Sequence, residues 1–140
     1  MNTAGYSGTP LEKKLGIKDG AVIRLINEPS YYKDLFSSLP EALTITDDKT
    51  IKKDMIHYFV KDKKKFIVDM YDLKTELKEN GMLWISWPKK SSKIEHDMNE
   101  NDIRIIGIQI GLVDIKVCAV DADWSALKFV IPLKNRKSSK

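Results

Sequence analysis

Residues 55–88 read MIHYFVKDKKKFIVDMYDLKTELKENGMLWISWP. Two apolar runs, 55–60 and 82–87, have the length and composition of mostly buried strands. Between them Phe66, Met70, Leu73 and Leu77 recur at helical spacing, with Ile67 and Tyr71 beside the stripe. The spacing predicts a helix over 62–80, with Asp62 as its N-cap and Asn80-Gly81 as its stop. Pro88 closes the second strand. Strands that alternate with a helix argue for parallel pairing.

The pattern extends in both directions. Towards the N-terminus, 21–26 is an apolar strand broken only by Arg24. Asn27-Glu28-Pro29 interrupts it, Ser30 is a plausible N-cap, and Tyr32, Leu35, Phe36 and Leu39 fall at helical spacing before Pro40. A short strand over 43–46 follows. The link 47–54 is too short for a crossover helix, which needs a dozen residues or more. About eight extended residues reach roughly 26 Å, enough to return along a short strand and cross two strand spacings as a loop. Further upstream, Thr9 and Glu12 have capping-box spacing around Pro10, and Gly16 suits a left-handed end with Ile17 folding back. That predicts a short helix over 9–17.

Towards the C-terminus, 89–98 is a polar loop; over 101–110 Ile103, Ile106 and Ile110 fit a helix face while Ile106, Ile108 and Ile110 also alternate like a strand, and the helix is favoured because Asn101 can cap it and Gly111 end it. Strands over 112–120 and 126–133 flank Asp121-Ala122-Asp123 and form an antiparallel hairpin. The expected organisation is a flexible arm over 1–8, one domain over 9–134 and a basic tail over 135–140. The fold class is α/β: a Rossmann-like, three-layer domain whose mostly parallel sheet ends in a β-hairpin.

The chain has 140 residues, 42% hydrophobic and 31% charged, which excludes a disordered polymer and suits one core. No apolar run approaches a bilayer crossing, and the first eight residues lack the apolar stretch of a secretion signal. A single cysteine, Cys118, cannot form an internal disulfide, which points to a reducing cytosol. The formal charge of +4 is mild and implies no nucleic acid by itself.

The order of elements resembles a small version of the class I methyltransferase fold, in which a parallel sheet also ends in a strand, a helix and a β-hairpin. Residues 81–89 (GMLWISWPK) resemble the strand that those enzymes place before their last helix. In wording the chain is also similar to a small bacterial family catalogued only as a domain of unknown function. The matching segments are 4–11 (AGYSGTPL), 13–17 (KKLGI), 87–90 (WPKK), 111–114 (GLVD), 116–121 (KVCAVD) and 124–125 (WS). That resemblance implies a bacterial, cytoplasmic protein with a Rossmann-like fold, and it implies no activity.

In an open α/β sheet, ligands bind beyond the carboxyl ends of the parallel strands. The candidate cleft there comprises Asn27, Glu28, Ser30, Asp47, Asp62, Ser86, Trp87, Lys89 and Lys90. Trp87 offers a stacking surface and the lysines offer charge for an anionic or nucleotide-like small molecule. Asp47 or Asp48 is placed to hold a ribose hydroxyl. The turn 27–30 has no glycine, and Pro29 removes an amide that an anion would use. The expectation is therefore against S-adenosylmethionine, and no cofactor is predicted.

Other residues carry less. Asp114, Lys116 and Cys118 alternate onto one strand face, where an ion pair is expected. Asp121 and Asp123 shape a turn, and Trp124 caps the core. His57 reads as a hydrogen-bonded core residue. His96, with Glu95 and Asp97, lacks the second cluster a metal site needs, so no metal is expected. Lys61, Lys63, Lys64 and Lys65 with Lys89 and Lys90 form a basic rim, a weak indication of nucleic acid. The leading expectation is a non-catalytic binding or regulatory module without a glycine-rich cofactor loop. The alternatives are a methyltransferase-related enzyme acting on a small anionic or nucleotide-like substrate, and a nucleic-acid binder.

Overall fold

A computed structural model describes residues 8–137. In chain order the elements are α1 (Leu11–Leu15), β1 (Val22–Ile26), a 3-10 turn (Tyr32–Leu35), β2 (Thr44–Ile45), β3 (Lys53–Phe59), α2 (Lys63–Thr75), β4 (Leu77–Pro88), α3 (Glu100–Gln109), β5 (Val113–Ala119) and β6 (Trp124–Val130). A second 3-10 turn, Leu133–Asn135, follows. The arm expected over 1–8 lies, except for Gly8, outside the described residues.

The six strands form one sheet in the order β2-β1-β3-β4-β6-β5. β2, β1, β3 and β4 are parallel, and β6 enters antiparallel between β4 and β5. This is the expected fold class. On one face Phe66, Met70 and Leu73 of α2 and Ile103 of α3 pack on Ile56, Tyr58, Leu83, Ile85 and Phe129. On the other, Leu11 and Leu15 of α1 with Tyr32 and Leu35 pack on Ile23, Met55, Phe59 and Trp84. The Trp84 indole N–H donates to the Leu15 carbonyl (3.0 Å), fixing α1 to the sheet centre.

The 46–52 link between β2 and β3 crosses β1 without a helix, as its length requires. Its tie to the sheet is ionic. Glu76, 3% exposed, accepts from Lys53 (2.7 Å) and from Arg24 (2.6 Å), and Lys53 also donates to the Asp48 carbonyl (2.5 Å).

That carboxylate explains the main departure from the sequence pattern. α2 ends at Thr75 and β4 begins at Leu77, so Asn80-Gly81 lies inside a strand. Pairing of Glu76 with Arg24 and Lys53 draws the chain into the sheet before local propensity would end the helix. Leu77 pairs with Lys53 and Met82 with Met55, so the extra residues of β4 bulge. Gly81 is required there, because a Cβ would lie 2.8 Å from the Lys53 carbonyl oxygen.

Four smaller expectations are corrected. Pro10, not Thr9, precedes α1, and no side chain caps that helix; Glu12 instead accepts from the amides of Ser37 and Ser38. The segment after Ser30 forms only a 3-10 turn. Asn99, not Asn101, caps α3, accepting from the Asp102 amide (2.9 Å). A bulge between Asp114 and Lys116 separates their faces: Asp114 accepts from Arg104 of α3 (2.8 Å), whereas Lys116 lies over Trp84 on the α1 side.

Removing the Glu76 charge leaves Lys53, fully buried, without its counter-ion. Glu76→Gln is expected to cost about 3–5 kcal/mol, as for other broken buried pairs, read by urea unfolding. Burial pushes the Glu76 carboxyl up, but hydrogen bonds from Lys53 and Arg24 outweigh it and hold the group below its ordinary value. Its contribution is present at neutral pH and is lost as pH falls through the folded-state value.

Candidate functional site at the strand ends

The parallel strands deliver Asn27, Thr46, Val60 and Lys89 to one edge of the sheet. The β5–β6 turn reaches the same edge. The chain leaves β1 for β2 on one side and returns to β3 on the other, so a switch point lies between β1 and β3. In sheets of this type that is where ligands enter.

A cavity of about 390 Å³ opens there, lined by Asn27, Phe59, Val60, Lys61, Asp62, Lys65 and Trp124. Asn27 has φ 57°, the sole non-glycine with positive φ among the described residues. Asparagine tolerates this left-handed conformation better than most residues. Its side-chain amide donates to the Phe59 carbonyl (3.3 Å), tying the end of β1 to the end of β3. Trp124 meets Phe59 edge-on at 5.0 Å. Its backbone is fixed by the Asp121 carboxylate, which accepts from the amides of Asp123 (2.8 Å) and Trp124 (2.9 Å). Burial and a hydrogen bond to Asp121 push the Tyr31 hydroxyl up to about 12, so it stays protonated.

A second cavity, about 440 Å³, lies beside the end of β4 and the start of α3, lined in part by Trp87, Lys89, Lys90, His96, Asn99 and Glu100. The Lys89 amide donates to the Asp123 carbonyl (2.8 Å), which anchors the loop. His96 Nδ1 lies 2.9 Å from the Ile94 carbonyl, an acceptor only, so Nδ1 carries the proton and Nε2 is left to accept. His96 stands within the loop between β4 and α3 and shares this cavity's lining with Lys89 and Lys90, a proximity that the spacing in the sequence does not show.

Of the predicted cleft residues, Asn27 and Asp62 line the first cavity, and Trp87, Lys89 and Lys90 line the second. Glu28 and Ser30 lie exposed on the turn between β1 and the 3-10 turn, outside both linings. Asp47 is exposed just past β2; neighbouring Asp48 is committed to the Thr50 amide and hydroxyl. Ser86 does not reach the cleft. It is fully buried, 2.7 Å from His57 Nε2, while Tyr32 Oη lies 2.8 Å from His57 Nδ1. His57 is thus the hydrogen-bonded core residue expected.

Part of the basic rim is paired with carboxylates. Asp62 and Asp97 accept from the first amides of α2, at Lys64 (2.9 Å) and Lys63 (2.8 Å). Lys63 pairs with Asp102 (3.4 Å) and Lys65 with Asp69 (3.2 Å). No group of residues able to hold a metal occurs among those described, nor a helix long and apolar enough to cross a membrane.

No family model and no curated protein sequence matches this chain. Among solved structures, magnesium protoporphyrin IX methyltransferase from Synechocystis PCC 6803 with bound SAH is similar, at 11% identity, 87% coverage of this chain, 78% of that chain and a TM-score of 0.57. A SAM-dependent methyltransferase from Aquifex aeolicus is similar at 13% identity, with coverages of 86% and 88% and a TM-score of 0.59. A TehB-like SAM-dependent methyltransferase from Corynebacterium glutamicum gives 10%, 86%, 85% and 0.53. The fold is therefore methyltransferase-like.

The expectation against S-adenosylmethionine is corrected by these findings, since the same Synechocystis enzyme is also solved with bound SAM. The corner that has no glycine, and that lacks an amide at Pro29, nonetheless turns through a left-handed residue, Asn27.

Burial lowers the His57 pKa to about 3, below the ordinary histidine value. The unfolded chain therefore takes up this proton first as pH falls, so stability declines through the window from about 6.5 towards 3. NMR of the ring protons should show His57 neutral from pH 8 down to roughly pH 4; titration near pH 6.5 would contradict this.

Proposed function

We propose that the protein is a methyltransferase-type enzyme that takes S-adenosylmethionine at the β1–β3 switch point and a small anionic or nucleotide-like acceptor beside β4. The observation that carries this reading is the cavity at the switch point of a sheet that superposes on SAH- and SAM-bound methyltransferases. It replaces the reading as a non-catalytic module, which rested on the glycine-free corner and on the shortened crossover between β2 and β3.

The residues present fit the cofactor. The cavity volume lies in the range of small-molecule sites. Trp124 and Phe59 supply an apolar wall, Asp62 a carboxylate for sugar hydroxyls, and Asn27 a tight turn beneath. When bound, S-adenosylmethionine supplies an electrophilic methyl group. The chain itself holds the acceptor's negative charge with Lys89 and Lys90. His96 Nε2 takes the proton released from the attacking atom. Trp87 and Met98, both buried, wall the acceptor cavity from the core.

Titration calorimetry with S-adenosylhomocysteine should give one site with a dissociation constant of roughly 1–100 μM; absence of heat at millimolar ligand would overturn the reading. Trp124→Ala should weaken that site by about tenfold or more. His96→Asn should leave it within about twofold while slowing methyl transfer to small phosphorylated or carboxylated acceptors by roughly a hundredfold, measured with radiolabelled methyl donor.

A further inference from the structure

The opposite edge of the sheet carries a second concentration of charge, independent of the strand-end cleft. Lys128 of β6 and Lys116 of β5 are directly opposed cross-strand partners. Lys128 is also opposed to Trp84 of β4, and the Lys116 ammonium lies 6.0 Å from the Trp84 ring centroid. Lys18, in the loop after α1, acts on Lys128 electrostatically, and Lys14 of α1 acts with Lys116 on Cys118. Four lysines from four segments thus gather on the α1 face.

Like charges directly opposed on neighbouring strands are destabilising. Lysines on a sheet usually meet carboxylates or stand in open solvent. Neither Lys116 nor Lys128 pairs with a carboxylate among the described residues; Lys116 is exposed to solvent, whereas Lys128 is only partly so. Lys128 is partly buried, and desolvation first, then Lys116 and Lys18, lower its pKa. Its ammonium is therefore partly desolvated, with Lys116 and Lys18 acting against its charge. The nearby acids are spent elsewhere: Asp54 accepts from the Val22 amide (2.8 Å) and pairs with Lys78 (3.0 Å), and Asp19 accepts from the Ala42 amide (3.1 Å).

Lys18, Lys78 and Lys128 line a cavity of about 550 Å³ beside this pair, floored by Met55 and Met82. Its volume suits a small molecule rather than a single ion. Asp19 and Asp54 on its rim interrupt the positive surface, which disfavours the continuous track a nucleic-acid backbone needs.

We propose that this pocket binds a small phosphorylated molecule of nucleotide size, its phosphates held by Lys18 and Lys128, with Lys116 adding positive charge from the neighbouring strand, at the sheet edge remote from the strand-end cleft. Anion binding relieves the Lys116–Lys128 repulsion, so the ligand stabilises the fold.

The test uses inorganic pyrophosphate on the whole chain, by thermal melting at constant ionic strength and by calorimetry. A saturable rise in melting temperature and a binding site independent of Lys90 are expected. Lys128→Gln should weaken binding by about tenfold or more, that is about 1.4 kcal/mol, and Lys116→Gln likewise. Without pyrophosphate, Lys116→Gln should melt no lower than wild type, because it removes a like-charge pair; a structural role for that lysine would lower it. Lys90→Gln, at the other edge, should leave pyrophosphate binding unchanged. The proposal is overturned if pyrophosphate gives no saturable shift, if Lys116→Gln and Lys128→Gln bind as wild type, or if Lys90→Gln removes binding. It is equally overturned if only a single-stranded oligonucleotide binds, since that would indicate a phosphate track.

Discussion

One buried carboxylate holds the architecture together. Glu76 takes Arg24 from β1 and Lys53 from β3 at the point where α2 becomes β4. Three strands and a helix are thereby tied by one side chain. Lys53 extends the tie to the 46–52 link through the Asp48 carbonyl, and Lys52 donates to the Thr75 carbonyl. In a longer α/β domain an apolar crossover helix would cover this face of β1. Here ionic contacts take its place. An ion pair is directional where apolar burial is not, so it sets register as well as proximity.

Register at the N-terminal ends of the strands decides what happens at their carboxyl ends. β1 and β3 must finish at the same level for the Asn27 side chain to reach the Phe59 carbonyl. That contact holds the corner in a left-handed turn and leaves space beneath Trp124. The hairpin contributes from the far side, because β5 runs parallel to β4 and brings Asp121 and Trp124 to the same edge. The two cavities thus arise from elements far apart in sequence.

The sheet was legible because strands and helices follow apolar periodicity, and because an eight-residue link admits no helix. The antiparallel hairpin was legible from its aspartate-rich turn. The boundary at Glu76 was not, since nothing local marks a glutamate as buried; its partners lie 52 and 23 residues away. The faces of Asp114 and Lys116 were misjudged because a bulge breaks the two-residue period without a glycine to announce it. At the site, Lys89, Lys90, Trp87 and Asp62 follow from their places after strands. Ser86 was misplaced because it is the last inward-facing residue of β4 to satisfy His57, a contact across the sheet that no spacing reveals. The place of His96 beside Lys89 and Lys90 was not legible, since it depends on how the loop 89–99 folds.

If S-adenosylhomocysteine seats at the β1–β3 switch point, as proposed, the backbone around that corner must sense it. A heteronuclear NMR titration that follows every backbone amide reads this. The largest shifts are expected on Asn27, Val60, Asp62 and Trp124, with little change over residues 16–21. Shifts confined to residues 16–21 and Lys128, or none at saturating ligand, would rule out a site at that corner.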